Sequence, residues 1–417
     1  MILSLKQEQG LKIAVERYKN RMKYTCISGY AGSGKSTLVK FIVQSLPGID
    51  PDTDVCYACY TGKAAQVLLK KGNKNVSTLH KLMYQSVPRP DGTFYHRPVS
   101  EIPYKVIVID EVSMVPGSMW KQLLRYQPYI LALGDPFQLP PVSKDDANTI
   151  LDKPHIFLDE IHRQAQESEI IRVSMDIRAG KDISLLDGNE VKIYSVADFT
   201  EPMLLWADQV LVGTNATRIN INNTMRKLLG RDGGPQTGDK IICLKNEWDI
   251  IANNGDPLVN GTIGFLKDPY STFVKVPYFL GGHRFDVLES KFISDSGAEF
   301  EPIMMDKKMI MTGEKCCDFK TAWRIGQNKN FGHLLPKEFT YGYAITCHKS
   351  QGSEFEVVVM PILAGPPMLY TRNLLYTGIT RAKKLLILIG DENQIRRMTD
   401  NVEHKKRITG LEYKLNG

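Results

Sequence analysis

The chain of 417 residues is too long for one ordinary hydrophobic core and predicts two to four domains. Its 42% hydrophobic and 24% charged residues are the composition of a soluble globular protein, and no apolar run approaches the length of a membrane span, which argues against a membrane partner and predicts a cytoplasmic location. A net charge of +7 suits a polyanionic partner without identifying one.

The opening Met1-Ile2-Leu3-Ser4-Leu5-Lys6-Gln7 meets charged residues at once and does not read as a secretory signal. Residues 5–22, with Leu5, Gln9, Ile13 and Val15 among polar positions, predict an amphipathic helix. Tyr24-Thr25-Cys26-Ile27-Ser28 is an apolar run that predicts a buried strand. Gly29-Tyr30-Ala31-Gly32-Ser33-Gly34-Lys35-Ser36 follows, then Thr37, and Leu38–Leu46 has helical periodicity. Strand, glycine-rich loop and helix in that order make a phosphate cradle. Glycines leave no Cβ in the turn, so N–H groups converge on an anion at a helix N-terminus, where the dipole also favours negative charge. In such a cradle Gly32, Ser33, Gly34 and Thr37 border the phosphates, Lys35 reaches the β- and γ-phosphates, and the Ser36 hydroxyl holds Mg²⁺.

Asp52–Tyr60 predicts a second strand, ending in Thr61-Gly62-Lys63-Ala64-Ala65 and a helix, and Val76-Ser77-Thr78-Leu79-His80 leads into another. The C-x-x-C of Cys56 and Cys59 has no second pair at zinc-ligand spacing and reads as buried strand. With Cys26, Cys243, Cys316, Cys317 and Cys347 the cysteines number seven, and reduced thiols are expected. Within residues 84–103, the run 87–98 carries three prolines and an Asp91-Gly92 turn signal, which predicts a short projecting β-hairpin. Lys105–Ile109 is a continuous apolar strand ending in Asp110-Glu111, the pattern of a strand buried on both faces of a parallel sheet. After a helix over 118–126, Tyr129–Leu133 is another core strand, ending in Gly134-Asp135-Pro136-Phe137-Gln138. This alternation predicts a doubly wound α/β domain over residues 1–150.

A second α/β unit is expected to start near Ile156-Phe157-Leu158 and to occupy 151–231 and 336–417, with Gln209–Gly213, Ala344–Thr346, Val357–Met360 and Leu385–Ile389 as strands. Between its halves, 232–335 is rich in Gly, Pro and short alternating runs and predicts a β-rich insertion, a small barrel, whose second half from Pro269 has no clear pattern.

The chemistry concentrates at strand ends. Of the adjacent carboxylates, Asp110 can hold Mg²⁺ while Glu111 orients and deprotonates an attacking water. Gln138 carries an amide able to bond a water and a γ-phosphate together. Arg163 and Arg381, both in the second unit, can deliver positive charge to a phosphoryl transition state, which would make closure of the two units depend on the nucleotide.

Taken in order, these segments resemble superfamily 1 helicases, most of all their 5′-to-3′ branch of RecD-like and phage Dda-like enzymes. The resemblance runs through Gly29–Thr37, Thr61–Ala65, Ser77–His80, Asp110–Met114, Gly134–Val142, Glu160–Gln164, Ala344–Phe355 and Leu375–Ala382. It implies two RecA-like domains with parallel sheets and ATP in the cleft between them, an SH3-like insertion, and a strand-separating pin at the hairpin. It implies adenine reading by Gln9, with Gln7 a nearby competitor, and a ribose neighbour in Glu354. Lys35, Asp110, Glu111, Gln138, Arg163 and Arg381 match its catalytic groups. Thr61, Lys63, Thr78, His80, Thr346 and His348 lie in motifs whose relatives touch a single strand. Phe94 and Tyr95 would stack at the junction with duplex, since aromatic faces suit any base.

The expected function is thus an ATP- and Mg²⁺-dependent DNA helicase, acting as a monomer on single-stranded DNA and its junctions with duplex, with room for a loading partner. The location implied is a bacterial cell or a phage-infected host. The alternative is a translocase that displaces proteins or remodels RNA without productive unwinding. A small-molecule kinase would explain the phosphate loop but not the distant arginines. An inactive nucleic-acid scaffold would not need the intact catalytic set.

Overall fold

The computed structural model of the chain describes residues 3–88, 94–140, 149–160, 167–181, 183, 187–328, 330–363 and 369–402. Helix α1 (Leu5–Lys19) starts at a capping box in which Ser4 and Gln7 bond each other's backbone N–H. Strands β1 (Tyr24–Gly29), β2 (Val55–Cys59) and β3 (Val76–Thr78) follow, connected through α2 (Lys35–Ser45) and α3 (Gly62–Lys70). After α4 (Leu79–Met83) comes the antiparallel hairpin β4 (Tyr84–Pro88) and β5 (Phe94–Pro98), as the prolines and the Asp-Gly signal predict. Strand β6 (Val106–Ile109), α5 (Gly117–Leu123), β7 (Tyr129–Gly134) and β8 (Ile156–Leu158) complete the first layer. Its six strands are all parallel, in the order β3-β2-β6-β7-β1-β8. Strands β6 and β7 are buried along their whole length, which explains their unbroken apolar sequences.

One boundary differs from expectation. Ile156-Phe157-Leu158 does not open the second unit. It is β8, the edge strand of the first sheet, pairing Ile156 with Ile27 and Leu158 with Gly29. Three residues contain too little pattern to say which of two parallel sheets they join.

The second layer holds α6 (Glu169–Arg178), β9 (Val191–Tyr194), β10 (Gln209–Val212) and α7 (Asn215–Leu228). The insertion then supplies β11 (Lys240–Cys243), the pair β12 (Glu247–Ile251) and β13 (Pro257–Leu258), the long β14 (Ile263–Lys275) and β15 (Arg284–Ser294), and β16 (Glu299–Asp306). Helices α8 (Lys307–Thr312) and α9 (Phe319–Gly326) precede β17 (Phe339–Tyr341). The chain returns to the second layer with β18 (Ala344–Thr346), α10 (Cys347–Ser350), β19 (Phe355–Pro361), α11 (Arg372–Ile379), β20 (Ala382–Ile389) and α12 (Glu392–Asp400). That layer is a parallel sheet in the order β18-β10-β19-β20-β9.

The insertion's antiparallel sheet runs β16-β15-β14-β11-β17. Lys337 joins its two edges, its N–H donating to the Met304 carbonyl at 2.8 Å and its carbonyl accepting from Asp306 N–H at 2.9 Å. The sheet therefore closes into a small barrel and leaves no bare edge there. Because β17 pairs with β11, the barrel continues past the expected limit at residue 335. Beyond β16 the β14–β15 ribbon projects onward, with Phe285 and Val287 packed against Ile325 of α9 in a satellite core. All seven cysteines are free, and Cys56 and Cys59 are buried in β2 as expected.

The insertion is fused to the second layer. Val210 and Val212 share one core with Ile241, Leu266, Phe292 and Phe339. At the junction the fully buried Asp239 accepts from Arg226 Nε at 3.2 Å, Arg231 Nη1 at 3.3 Å, the Tyr343 hydroxyl at 2.8 Å and Gln236 N–H at 2.8 Å. A buried carboxylate is tolerable only with such compensation. Asp239→Ala would strand two guanidinium groups and should lower the unfolding free energy by about 3 kcal/mol, read from urea titrations; a loss below about 1 kcal/mol would show that the junction does not depend on this hub.

Candidate active site

Three neighbouring strands bring the site together. In the first sheet β6, β7 and β1 are adjacent and parallel, so their carboxyl ends deliver Asp110, Asp135 and the loop after Gly29 to one edge. Open α/β sheets bind ligands at that edge. Gly32 and Gly34 have φ of +76° and +77°, a conformation that suits glycine, and Gly34 caps α2. The Lys35 ammonium donates to the carbonyls of Gly29 and Tyr30 at 2.7 and 2.9 Å, inside the curl of the loop. Ser36, Thr37 and Asp110 border a cavity of about 430 Å³ between α2 and the sheet. A hydroxyl and a carboxylate on one opening form the oxygen donor set that Mg²⁺ prefers, so these residues fit the ion.

Asp110 Oδ1 accepts the Glu111 N–H at 3.0 Å, and Glu111 adopts a left-handed φ of +53°. That conformation is unusual for a glutamate and sharply redirects the chain past the strand end. Glu111 keeps partial exposure to the cleft. Even so, desolvation and the adjacent Asp110 raise its carboxyl to about 7, against the opposing pull of Arg381 and Lys35.

The second layer faces this edge through α11 and the start of β20. Arg381 is buried and donates to the Thr377 and Ser353 carbonyls and to the Thr380 hydroxyl at 3.1 to 3.2 Å. None of these acceptors is a carboxylate, so its charge is not neutralised by them. Gln138 is also buried, and its side-chain oxygen has no hydrogen-bond partner among the described residues. The loop around it is anchored from the second layer. Leu139 N–H donates to the Thr377 hydroxyl at 3.0 Å, Asn373 Nδ2 to the Phe137 carbonyl at 2.9 Å, and Gln351 Nε2 to the Leu139 carbonyl at 2.9 Å.

Other expected residues are distributed differently. Gln9 is exposed on α1, whereas Gln7 is buried with Nε2 3.5 Å from the Gly34 carbonyl. Of the two glutamines the structure brings Gln7 to the phosphate loop. Glu354 is exposed just before β19. Thr61, Thr78 and Thr346 are the N-caps of α3, α4 and α10, their hydroxyls accepting the N–H of Ala64, Lys81 and Lys349. Thr78 is buried, and capping accounts for its hydroxyl. Lys63 lies 3.4 Å from Asp295 of the barrel. His80 packs near the rings of Tyr60 and Tyr84, while His348 is half-buried on α10. Arg163 and the side chains of Phe94 and Tyr95 lie outside the described residues.

Sequence reasoning passed over several groups in the cleft. The Arg178 guanidinium lies 3.3 Å over the Tyr30 ring of the phosphate loop, and Tyr376 bonds Asp135. Trp248, on β12 of the insertion, faces Lys81 at 5.0 Å. Tyr376 stands within the Leu375–Ala382 segment and could have been found there. Arg178 and Trp248 have no local signature, since only the tertiary fold brings them to the first layer.

Comparison with known proteins agrees with this architecture. The family described as AAA domain matches residues 4–195, and UvrD-like helicase C-terminal domain matches 341–389. The chain is 24% identical to the ATP-dependent RecD2 DNA helicase of Deinococcus radiodurans over 86% of its own length, and 25% identical to the ATP-dependent DNA helicase dda of Enterobacteria phage T4 over 90%. It spans 45% of the former and 97% of the latter. The uncharacterized protein R530 of Acanthamoeba polyphaga mimivirus is 30% identical, over 88% of this chain and 95% of that one. Among solved structures, Pif1 helicase from Bacteroides with ADP-AlF3 and ssDNA superposes with a TM-score of 0.53 at 18% identity, covering 100% of this chain and 98% of that one. Pif1 helicase from Candida albicans gives 0.51 at 20%, covering 100% and 99%. The chain belongs to the superfamily 1 helicases of the RecD, Pif1 and Dda type, and it is an ATP-hydrolysing enzyme.

Proposed function

We propose that this enzyme translocates on single-stranded DNA, 5′ to 3′, and unwinds duplex by ATP-driven closure of its two parallel-sheet domains. The observation that carries the reading is the composition of the cleft. One layer contributes the phosphate loop and carboxylates, the other contributes Arg381, and Gln138 sits between them with a free acceptor. A phosphoryl transfer completed by charge from a second body is a natural way to couple hydrolysis to motion.

In this mechanism Lys35 leaves the loop carbonyls for the β- and γ-phosphates. Glu111, as carboxylate, takes a proton from the attacking water. Gln138 orients that water against the γ-phosphate, and the Arg381 guanidinium meets the charge developing on the equatorial oxygens. Mg²⁺ held by Ser36 and Asp110 would supply further charge neutralisation at the phosphates. Loss of the γ-phosphate removes what attracts Arg381 and lets the layers part. Strand contacts fall to Lys63 and His80 on the first layer and to His348 on the second. The β4–β5 hairpin would be the pin and the closed barrel an SH3-like module. Direction follows the branch that the motifs resemble, and binding to DNA is supported by the relatives' names and by the Bacteroides structure with ssDNA.

Lys35→Ala should reduce ATP turnover at least about a hundredfold in a protein that still folds; normal turnover in that variant would sink the assignment. Protonated Glu111 cannot accept a proton, so kcat/KM for ATP should fall as pH drops below about 7. Metal beside Asp110 shifts that limb downward toward the ordinary carboxylate range, and a Glu111→Gln variant that keeps wild-type turnover would remove Glu111 from the role. Strand separation should occur on a duplex with a 5′ tail and fail on one with a 3′ tail. Opening of the 3′-tailed substrate alone would reverse the polarity. Stimulated ATPase without opening of either would favour a translocase.

A further inference from the structure

A buried polar chain crosses the cleft between the layers. Tyr376, on α11, is 1% exposed. Its hydroxyl donates to Asp135 Oδ2 at 2.7 Å and accepts the Ala31 N–H at 3.3 Å. Ala31 belongs to the phosphate loop, and Asp135 follows β7 at the start of the loop that carries Gln138. One hydroxyl of the second layer therefore contacts both loops of the first. Asp135 is fully buried, and its other oxygen accepts the Phe137 N–H at 3.0 Å. Burial and the carboxylate keep the phenol well above its ordinary pKa, so it stays a neutral donor.

Packing alone does not explain this arrangement. A phenylalanine would fill the same space against Phe137, whose ring centroid lies 6.1 Å away, and would spare the cost of burying a hydroxyl. The carbonyl of Thr377, next in the chain, holds Arg381 Nε, so the hydroxyl and the guanidinium are fixed on one rigid helix end. Tyr30, the neighbour of Ala31, is held from the same side by Arg178. The leading half of the phosphate loop is thus gripped by the second layer at two points.

We propose that the Tyr376 hydroxyl is a positioning group for ATP hydrolysis. It sets the phosphate loop and the Gln138 loop in register with Arg381, so that turnover follows the position of the second layer. This rests on the cleft hydrolysing ATP as described above.

The test is ATP turnover at saturating single-stranded DNA in the wild type, Tyr376→Phe, Asp135→Asn and the double variant. Tyr376→Phe should lower stimulated kcat about tenfold while KM for ATP stays within about twofold. The double variant should be no slower than the slower single one, because both changes act on the same bond. An unchanged kcat, a loss expressed in KM, or losses that multiply in the double variant would overturn the proposal. Should Tyr376→Phe not fold, Asp135→Asn keeps the volume and weakens the same bond, and wild-type kcat in it would be equally decisive. Absence of stimulated turnover in the wild type would instead remove the underlying reading of the site.

Discussion

Everything at the cleft depends on three parallel strands ending side by side. Parallel pairing puts the carboxyl ends of β1, β6 and β7 on one edge, and the fixed spacing of neighbouring strands places the phosphate loop, Asp110 and Asp135 within one ligand's reach. Their apolar sequences secure this geometry, because a one-residue slip would disturb every buried side chain on both faces. The polar groups of the cleft lie just beyond the strand ends, where the backbone leaves the ladder and unusual conformations become available. Glu111 at φ +53° is the clearest case. A rigid strand and a strained turn together aim the carboxylates without any long loop to order.

The second layer meets this edge with helix ends. Bonds from Thr377, Asn373 and Gln351 satisfy the loop after β7, which otherwise would bury unpaired backbone groups. The cost of separating the layers is therefore concentrated at the place where a nucleotide would act. Further out, the insertion leans on the first layer through its β12–β13 pair, with Gln66 Nε2 donating to the Pro257 carbonyl at 2.7 Å. The Asp239 hub fastens the barrel to its own domain, so that it moves with the second layer as a unit.

The segments that line the cleft were legible in the sequence because each carries its own short signature. Asp110 and Gln138 follow strands whose burial shows as an unbroken apolar run, while β1 ahead of Lys35 is as buried but carries Thr25 and Ser28. Gln7 against Gln9 was not decidable, since helical phase, set by the cap at Ser4, determines which one turns to the loop. Strand β8 was assigned to the wrong sheet because pairing is a tertiary property of three residues. Beyond Pro269 the difficulty was different. Pro269 and Pro302 fall at register shifts in β14 and β16, one on each side of Ser290 in β15. A residue without an N–H reads as a strand breaker, yet at a bulge it breaks nothing. The Ser290 hydroxyl donates to the Lys267 carbonyl at 2.9 Å beside the first of them.

That pair of bulges also changes what counts as information in the ribbon. On β14 Leu266 lies in the barrel core, whereas Val274, of the same even numbering, packs against the satellite core. The extra residue at the bulge shifts the alternation by one step, like a change of reading frame. Removing Asp268 would set Pro269 alone opposite Ser290 and leave Val274 paired with Phe285, so the outer ribbon would keep its faces and lose only the bend that the bulge imposes. At the bulge a residue can be lost without moving any partner, whereas a deletion elsewhere in β14 would displace every pair beyond it.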